Sequence, residues 1–230
     1  MSRYFMRDTD LAGLESAMML PPLFKPRHSG LAILNRFRYT KESTDCRDCI
    51  EWDRKKKCGA ERCPWLAERL EAGNISYGEL LKECFLDMND NRFQLRLQRL
   101  ARKFYGSLFK DKEHQRRFEL AKNSLRILFG KTPDCHIAAL FLLTADEKLW
   151  QLAKNAVTEK AIRFEHIKLS GIGTDGYTLY QMAKMLSTGQ AKITVSELAD
   201  AELISDPLLA VLVGAMLIAR FGPNVLEVKK

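Results

Sequence analysis

Cys46-x-x-Cys49 and Cys58-x-x-x-x-Cys63 place four thiols within eighteen positions, and no other feature constrains the fold of this 230-residue chain as tightly. Two close pairs of soft ligands are the donor set that tetrahedral zinc prefers. The intervening Ile50-Glu51-Trp52-Asp53-Arg54-Lys55-Lys56-Lys57 is too polar to build a core of its own. A bound ion can supply the missing folding free energy. Disulfide pairing is the competing use of an even cysteine count. Arg7, Asp8, Asp10 and Glu15 interrupt the first twenty residues, which leaves no apolar signal core and points to reduced thiols in a cytoplasmic protein. The expectation is zinc held by Cys46, Cys49, Cys58 and Cys63. Four sulfurs close the coordination shell, whereas a catalytic zinc keeps one position open. The His-x-Glu that deaminases combine with Pro-Cys-x-x-Cys is missing as well. The zinc is therefore expected to be structural. Cys84 and Cys135 lie in apolar helical contexts and read as small buried hydrophobes.

The rest of the chain reads as mainly α-helical, with a small zinc module followed by a multi-helix domain. Residues 1–40 form an accessory arm. Asp8 or Asp10 caps a short helix carrying Leu11, Leu14 and Met18, which Pro21 and Pro22 end. A linker over residues 23–30 and a second short helix over 31–38 follow. Residues 41–91 hold the four-cysteine module with flanking helices, and residues 92–230 the helical domain. Pro64 suits a first helical turn that runs to Gly73. Ser76-Tyr77-Gly78-Glu79, Thr144-Ala145-Asp146-Glu147 and Thr194-Val195-Ser196-Glu197 are capping boxes, and Asp111 caps a further helix. Thr132-Pro133 starts another helix. Asp206-Pro207 opens the apolar last one, closed by Gly222-Pro223. Its twelve-residue apolar run, Leu208 to Ala219, is too short for a hydrocarbon core that needs about 20 residues. It reads as the central helix of a globular core.

One motif invites a nucleotide reading. Gly171-Ile172-Gly173-Thr174-Asp175-Gly176 matches the dinucleotide fingerprint and precedes a helix, with Glu197 at a suitable distance for a ribose ligand. The first strand of such a fold is buried on both faces and nearly continuous in apolar residues. Arg163, Glu165, His166 and Lys168 break the stretch where that strand would lie, and too little chain follows for a doubly wound sheet. A connection between elements is the expected role. His28, His114, His136 and His166 form no close metal-binding pair, and no serine occupies a nucleophile elbow. His114, between Glu113 and Arg117, is the one histidine whose neighbours suggest chemistry. A structural histidine is the ordinary alternative.

Charge gives the clearest functional signal. Residues 92–131 carry twelve basic and three acidic side chains, a net of +9 in a chain whose total is +8. Phe93, Leu97, Leu100, Phe104 and Leu108 recur at spacings of three and four and line one helix face. Arg92, Arg96, Arg99, Arg102 and Lys103 fall largely elsewhere on its circumference, with Arg116 and Arg117 on the next helix. Acidic partners at helical spacing are nearly absent. Two readings stand: phosphate contact by these residues, with Lys55, Lys56 and Lys57 of the zinc loop as a second point, or a solvated helix face.

Three segments resemble a family of proteins carried by conjugative elements and prophages of clostridia and related Firmicutes. These are Cys46-Arg47-Asp48-Cys49, Cys63-Pro64-Trp65-Leu66-Ala67-Glu68-Arg69 and Tyr77-Gly78-Glu79-Leu80-Leu81. His114-Gln115-Arg116-Arg117-Phe118, with residues 138–146 and Leu149-Trp150, is similar to a separate helical domain from the same setting. The resemblance implies an accessory protein of a mobile genetic element, with no catalytic residues to carry over. The resulting expectation is a non-enzymatic, zinc-stabilised binding protein acting on nucleic acid or a nucleoprotein complex. The alternative is a protein inhibitor of a host defence nuclease, of the anti-CRISPR or anti-restriction kind. A nucleotide-binding enzyme ranks third, because no nucleophile, base and electrophile converge in the sequence.

Overall fold

A computed structural model describes residues 9–14, 39–49, 51–55 and 57–228. The chain is mainly α-helical, as its periodicity predicts. Short 3-10 turns at Glu42–Thr44 and Cys46–Asp48 lead into a two-residue hairpin, β1 (Trp52–Asp53) against β2 (Lys57–Cys58). Then come α1 (Leu66–Glu71), α2 (Tyr77–Cys84), α3 (Asn91–Lys103), α4 (Lys112–Ser124), α5 (Asp134–Thr144) and α6 (Glu147–Ala153). After a 3-10 turn at Phe164–His166 follow α7 (Thr174–Thr188), α8 (Val195–Ala199), α9 (Asp206–Phe221) and a closing 3-10 turn, Pro223–Glu227. Of the expected N-terminal arm only residues 9–14, 39 and 40 are described, and Leu11 and Leu14 are exposed. Met18, the linker over 23–30 and the second helix over 31–38 lie outside the described residues.

The core is organised around α5. Every side chain from His136 to Thr144 is buried, because Ile137 to Leu143 offer no polar stripe to turn toward water. Helices α7 and α9 pack against α5, and α4 and α6 cover it further. The apolar run of α9 lies in this core, as expected. No helix among the described residues is long and apolar enough to cross a membrane.

Local chemistry explains most boundaries. Ser76 Oγ accepts the Glu79 N–H at 3.3 Å while the Glu79 carboxylate accepts the Ser76 N–H at 2.9 Å, and the Thr194–Glu197 box opens α8 the same way. Asp90 and Asp111 cap α3 and α4 through the amides of Phe93 and His114, at 2.9 and 2.7 Å. One expectation needs correction. Thr144 does not open a helix: it is the last residue of α5, and its hydroxyl donates back to Leu140 O at 2.9 Å. Asp146 caps α6 instead, accepting the Leu149 N–H at 2.7 Å. A carboxylate two residues nearer the helix displaces the hydroxyl from that role. Residues 162–169 form no strand before the glycine motif. They contribute a single bridge, Val157 to Ile162, and a 3-10 turn, so no βαβ unit exists there among the described residues.

One cluster of buried side chains runs through the expected boundary at 91–92, from Leu70 to Val228. Tyr77 of α2 stacks on Phe104 at 4.0 Å, Phe85 meets Phe93 edge-on at 5.6 Å, and Arg220 of α9 donates to Cys84 O at 2.7 Å. The cysteine segment hangs on this body partly through Asn74, whose amide donates to Thr44 O at 2.9 Å.

Candidate functional site

The cysteine region is assembled by short local devices. Asp45 caps the turn at Cys46–Asp48 by accepting the Arg47 N–H at 2.9 Å, and Cys49 N–H closes it on Cys46 O at 3.1 Å. That turn carries the first two thiols. Trp52 N–H then bonds Cys49 O at 3.0 Å and starts the hairpin, in which Cys58 pairs with Trp52. Cys63 precedes Pro64 and α1, as the sequence suggests. All four cysteines are free and line one cavity of about 340 Å³ together with Trp52, Trp65, Arg69 and Glu83.

Two neighbours fix the Cys63 end. The Arg69 guanidinium points Nη1 at Cys63 Sγ (3.8 Å) and Nη2 at Glu79 (2.8 Å), while Nε donates to Asn74 O (3.1 Å). The Glu83 carboxylate accepts the Cys63 N–H at 3.2 Å. Burial pushes the Cys46 thiol up, against the pull of Arg69 and with the repulsion of Cys63 and Cys58. Four free soft donors facing one cavity fit zinc by their chemistry. Their positions differ from a finished site: among the described residues no three ligating side chains converge closely enough to hold an ion. Cys84 is buried, as expected, and Cys135 is half-buried.

The second region is the outer face of α3. At 3.6 residues per turn, Arg92, Arg99 and Lys103 (i, i+7, i+11) fall on one line, and Arg102 and Leu95 flank it. Arg92, Arg99 and Arg102 are exposed, and none forms an ion pair among the described residues. Lys103 is also exposed and lies 3.8 Å from Asp206. Leu95, 56% exposed, sits within the basic face.

Arg96 departs from the expected set. Its side chain is 1% exposed and reaches inward, so it offers nothing to a phosphate. Nη1 donates to Leu198 O and Asp200 O at 3.0 Å each, and Nη2 to Ile204 O at 2.6 Å and Asp206 Oδ1 at 2.9 Å. On the helix wheel it lies beside Leu100 and Phe93, on the buried side of the basic stripe. Arg117 is likewise engaged, donating to Thr144 O at 2.9 Å at the end of α5. Arg116 is exposed but paired with Glu113 at 2.9 Å. Lys55 is exposed on the hairpin, whereas Lys56 and the Lys57 side chain lie outside the described residues.

His114 is fully buried. Nδ1 accepts the Lys110 N–H at 3.1 Å, which leaves Nε2–H to donate to Phe141 O at 2.9 Å. Burial drives its pKa down to about 4, opposed by the Phe141 carbonyl. It is a neutral structural strut. Glycines of the nucleotide-like motif have local uses too. Gly171 has φ +69°, and a Cβ on Gly176 would lie 2.6 Å from Ile172 Cγ1.

No protein-family model, curated protein or solved structure matches this chain. Its function has to be read from its own residues. Sequence reasoning passed over Arg69, which the helix start at Leu66 turns back toward Cys63. It also passed over Tyr105, whose position directly after the buried Phe104 at the end of α3 was a usable signal.

Proposed function

We propose that this chain is a non-enzymatic, zinc-stabilised helical binding protein that acts on nucleic acid or on a nucleoprotein complex. The observation that carries this reading is the line of Arg92, Arg99 and Lys103, with Arg102 beside it, exposed on one rigid helix. Guanidinium groups without acidic partners are free to replace the counterions of a phosphate backbone. The absence of any base-reading element on this face fits contacts that position rather than specify. Zinc on Cys46, Cys49, Cys58 and Cys63 would order the hairpin and hold Lys55 at its edge. Closing the cavity onto one ion requires the thiols to draw together, which a hairpin of two-residue strands permits. His114, the histidine with the most suggestive neighbours, has both ring nitrogens engaged in structure. The resemblance to mobile-element proteins supplies the setting, an accessory protein of a conjugative element or prophage.

Leu95 favours a second reading. An apolar side chain within a basic face also suits an acidic, partly apolar protein surface, such as one on a defence nuclease outside its own basic nucleic-acid channel. Fluorescence anisotropy with labelled DNA over a range of salt concentrations separates the two. Nucleic-acid binding predicts a log–log salt slope of about −0.7 to −0.9 per phosphate contact, reduced in Arg92→Glu and Arg99→Glu. Absence of binding to any DNA or RNA, with tight binding to a nuclease, would overturn the first reading in favour of the second.

A further inference from the structure

The basic stripe of α3 ends at a cavity. A space of about 290 Å³ opens between the end of α3, the loop after it and the first turn of α9, walled by Tyr77, Phe104 and Tyr105. Lys103 and Lys110 line it on the polar side, and so does Asp206. Its surface is mostly aromatic and aliphatic. Pockets for flat ligands share this composition, with a few polar groups to orient them.

Tyr105 is the unusual residue. It is 70% exposed, the most exposed large hydrophobic side chain among the described residues. Yet it is held in place: its hydroxyl donates to Phe109 O at 2.9 Å, and its ring lies 27° from the plane of Phe104. An exposed aromatic ring normally gains little from being pinned. A ring pinned at the mouth of a cavity is a surface on which another flat group can lie, with little conformational entropy left to lose.

Charge selects the kind of flat group. The Asp206 carboxylate stays ionised, held below the ordinary carboxylate range by its hydrogen bond from Arg96, and the positive charge of that guanidinium at 2.9 Å offsets it. With Arg96 matching Asp206, Lys103 and Lys110 leave the mouth net positive, and Arg99 and Arg92 extend that charge along the helix. A positive track leading to an aromatic platform is the arrangement that holds single-stranded nucleic acid, the backbone on the cations and a base on the ring. In a duplex the bases are stacked on one another and have no free face for Tyr105.

We infer that the cavity beside Tyr105 receives an unstacked base, and that the ligand of the α3 face is single-stranded nucleic acid. This deepens the function proposed above and rests on it.

The test uses the full chain and fluorescein-labelled probes: single strands of about 16 nucleotides and a duplex of equal length. Single strands should bind more tightly than the duplex at equal salt. Tyr105→Ala should weaken single-strand binding by about 5- to 150-fold, the loss of one stacked base, without changing the salt slope. Tyr105→Phe keeps the ring but loses the hydroxyl tether to Phe109 O, and should bind between the parent and Tyr105→Ala. Arg99→Glu should lower the slope instead. A 5-iodouracil-substituted strand should photocrosslink to Tyr105, identified by peptide mass spectrometry. Helical circular dichroism checks that each variant is folded. If the parent binds neither probe, the nucleic-acid reading and the pocket fall together. If it binds single strands but Tyr105→Ala matches it, or if the duplex binds equally well, the pocket alone is overturned.

Discussion

Arg96 Nη2 donates to Asp206 Oδ1 at 2.9 Å, tying the middle of α3 to the first turn of α9 across 110 residues of sequence. The same guanidinium satisfies the carbonyls of Leu198, Asp200 and Ile204, which end α8 and carry the chain toward α9. Its Nε has no partner, so the fork is committed entirely through its two terminal nitrogens. Arg96→Met should cost about 3–5 kcal/mol, because the carbonyls and the Asp206 carboxylate lose a buried cation. Arg99→Glu, on the exposed face, should move stability by no more than about 0.5 kcal/mol. Urea unfolding midpoints measure both. Equal midpoints would contradict the buried role, and a binding loss in an Arg96 variant should be read as unfolding.

Metal content is the second expectation. Purified chain should carry about one zinc ion by elemental analysis, and Cys→Ser at position 46, 49, 58 or 63 should release it. Arg69, which donates toward Cys63 Sγ, should matter although it is no ligand: Arg69→Met should weaken zinc binding about 10- to 100-fold in competition with a chromophoric chelator. Metal-free protein with an ordered cysteine segment would remove the zinc.

The buried neutral His114 makes stability depend on acid. Its folded pKa lies near 4 against an ordinary 6.5, so the unfolded chain takes up the proton first as pH falls. The contribution is fully present above about pH 6.5, drains away between 6.5 and 4, and is flat below, a total of roughly 3 kcal/mol. His114→Gln keeps a donor and an acceptor but cannot titrate. It should show a shallower loss between pH 7 and 4.5 in urea unfolding, and parallel losses in the two proteins would refute the assignment.

Gly176 tests the reading of the glycine motif. Gly176→Ala places a methyl against Ile172 and should cost about 1–3 kcal/mol, partly recovered when Ile172→Ala is added. Double-mutant thermal or urea unfolding reports the coupling. If the glycine instead served a bound nucleotide, the single change would alter ligand binding and leave stability alone.

Much of this is legible in the sequence. The buried stripe of α3, the caps at Ser76, Asp111 and Thr194, and the closing Gly222 follow from short-range rules that local geometry obeys. Arg96 was not legible, because its partners lie more than 100 residues away and helical spacing places it on the border between buried and exposed faces. Thr144 and Asp146 compete for one cap, and the sequence carries both signals. The spacing of the four cysteines leads to the expectation that they lie together, and they do line one cavity. Arg69 and Glu83 join it only because α1 and α2 fold back beside them.

Helix α5, sealed on all sides, has a consequence for how the protein is made. Until the ribosome has released Phe221, one wall around residues 137–143 is missing, and the apolar side chains on the α9 side of α5 stay open to water. The body can close only once Asp206–Phe221 has emerged, so a chain cut before Asp206 should be captured by chaperones or aggregate rather than persist as a smaller folded unit.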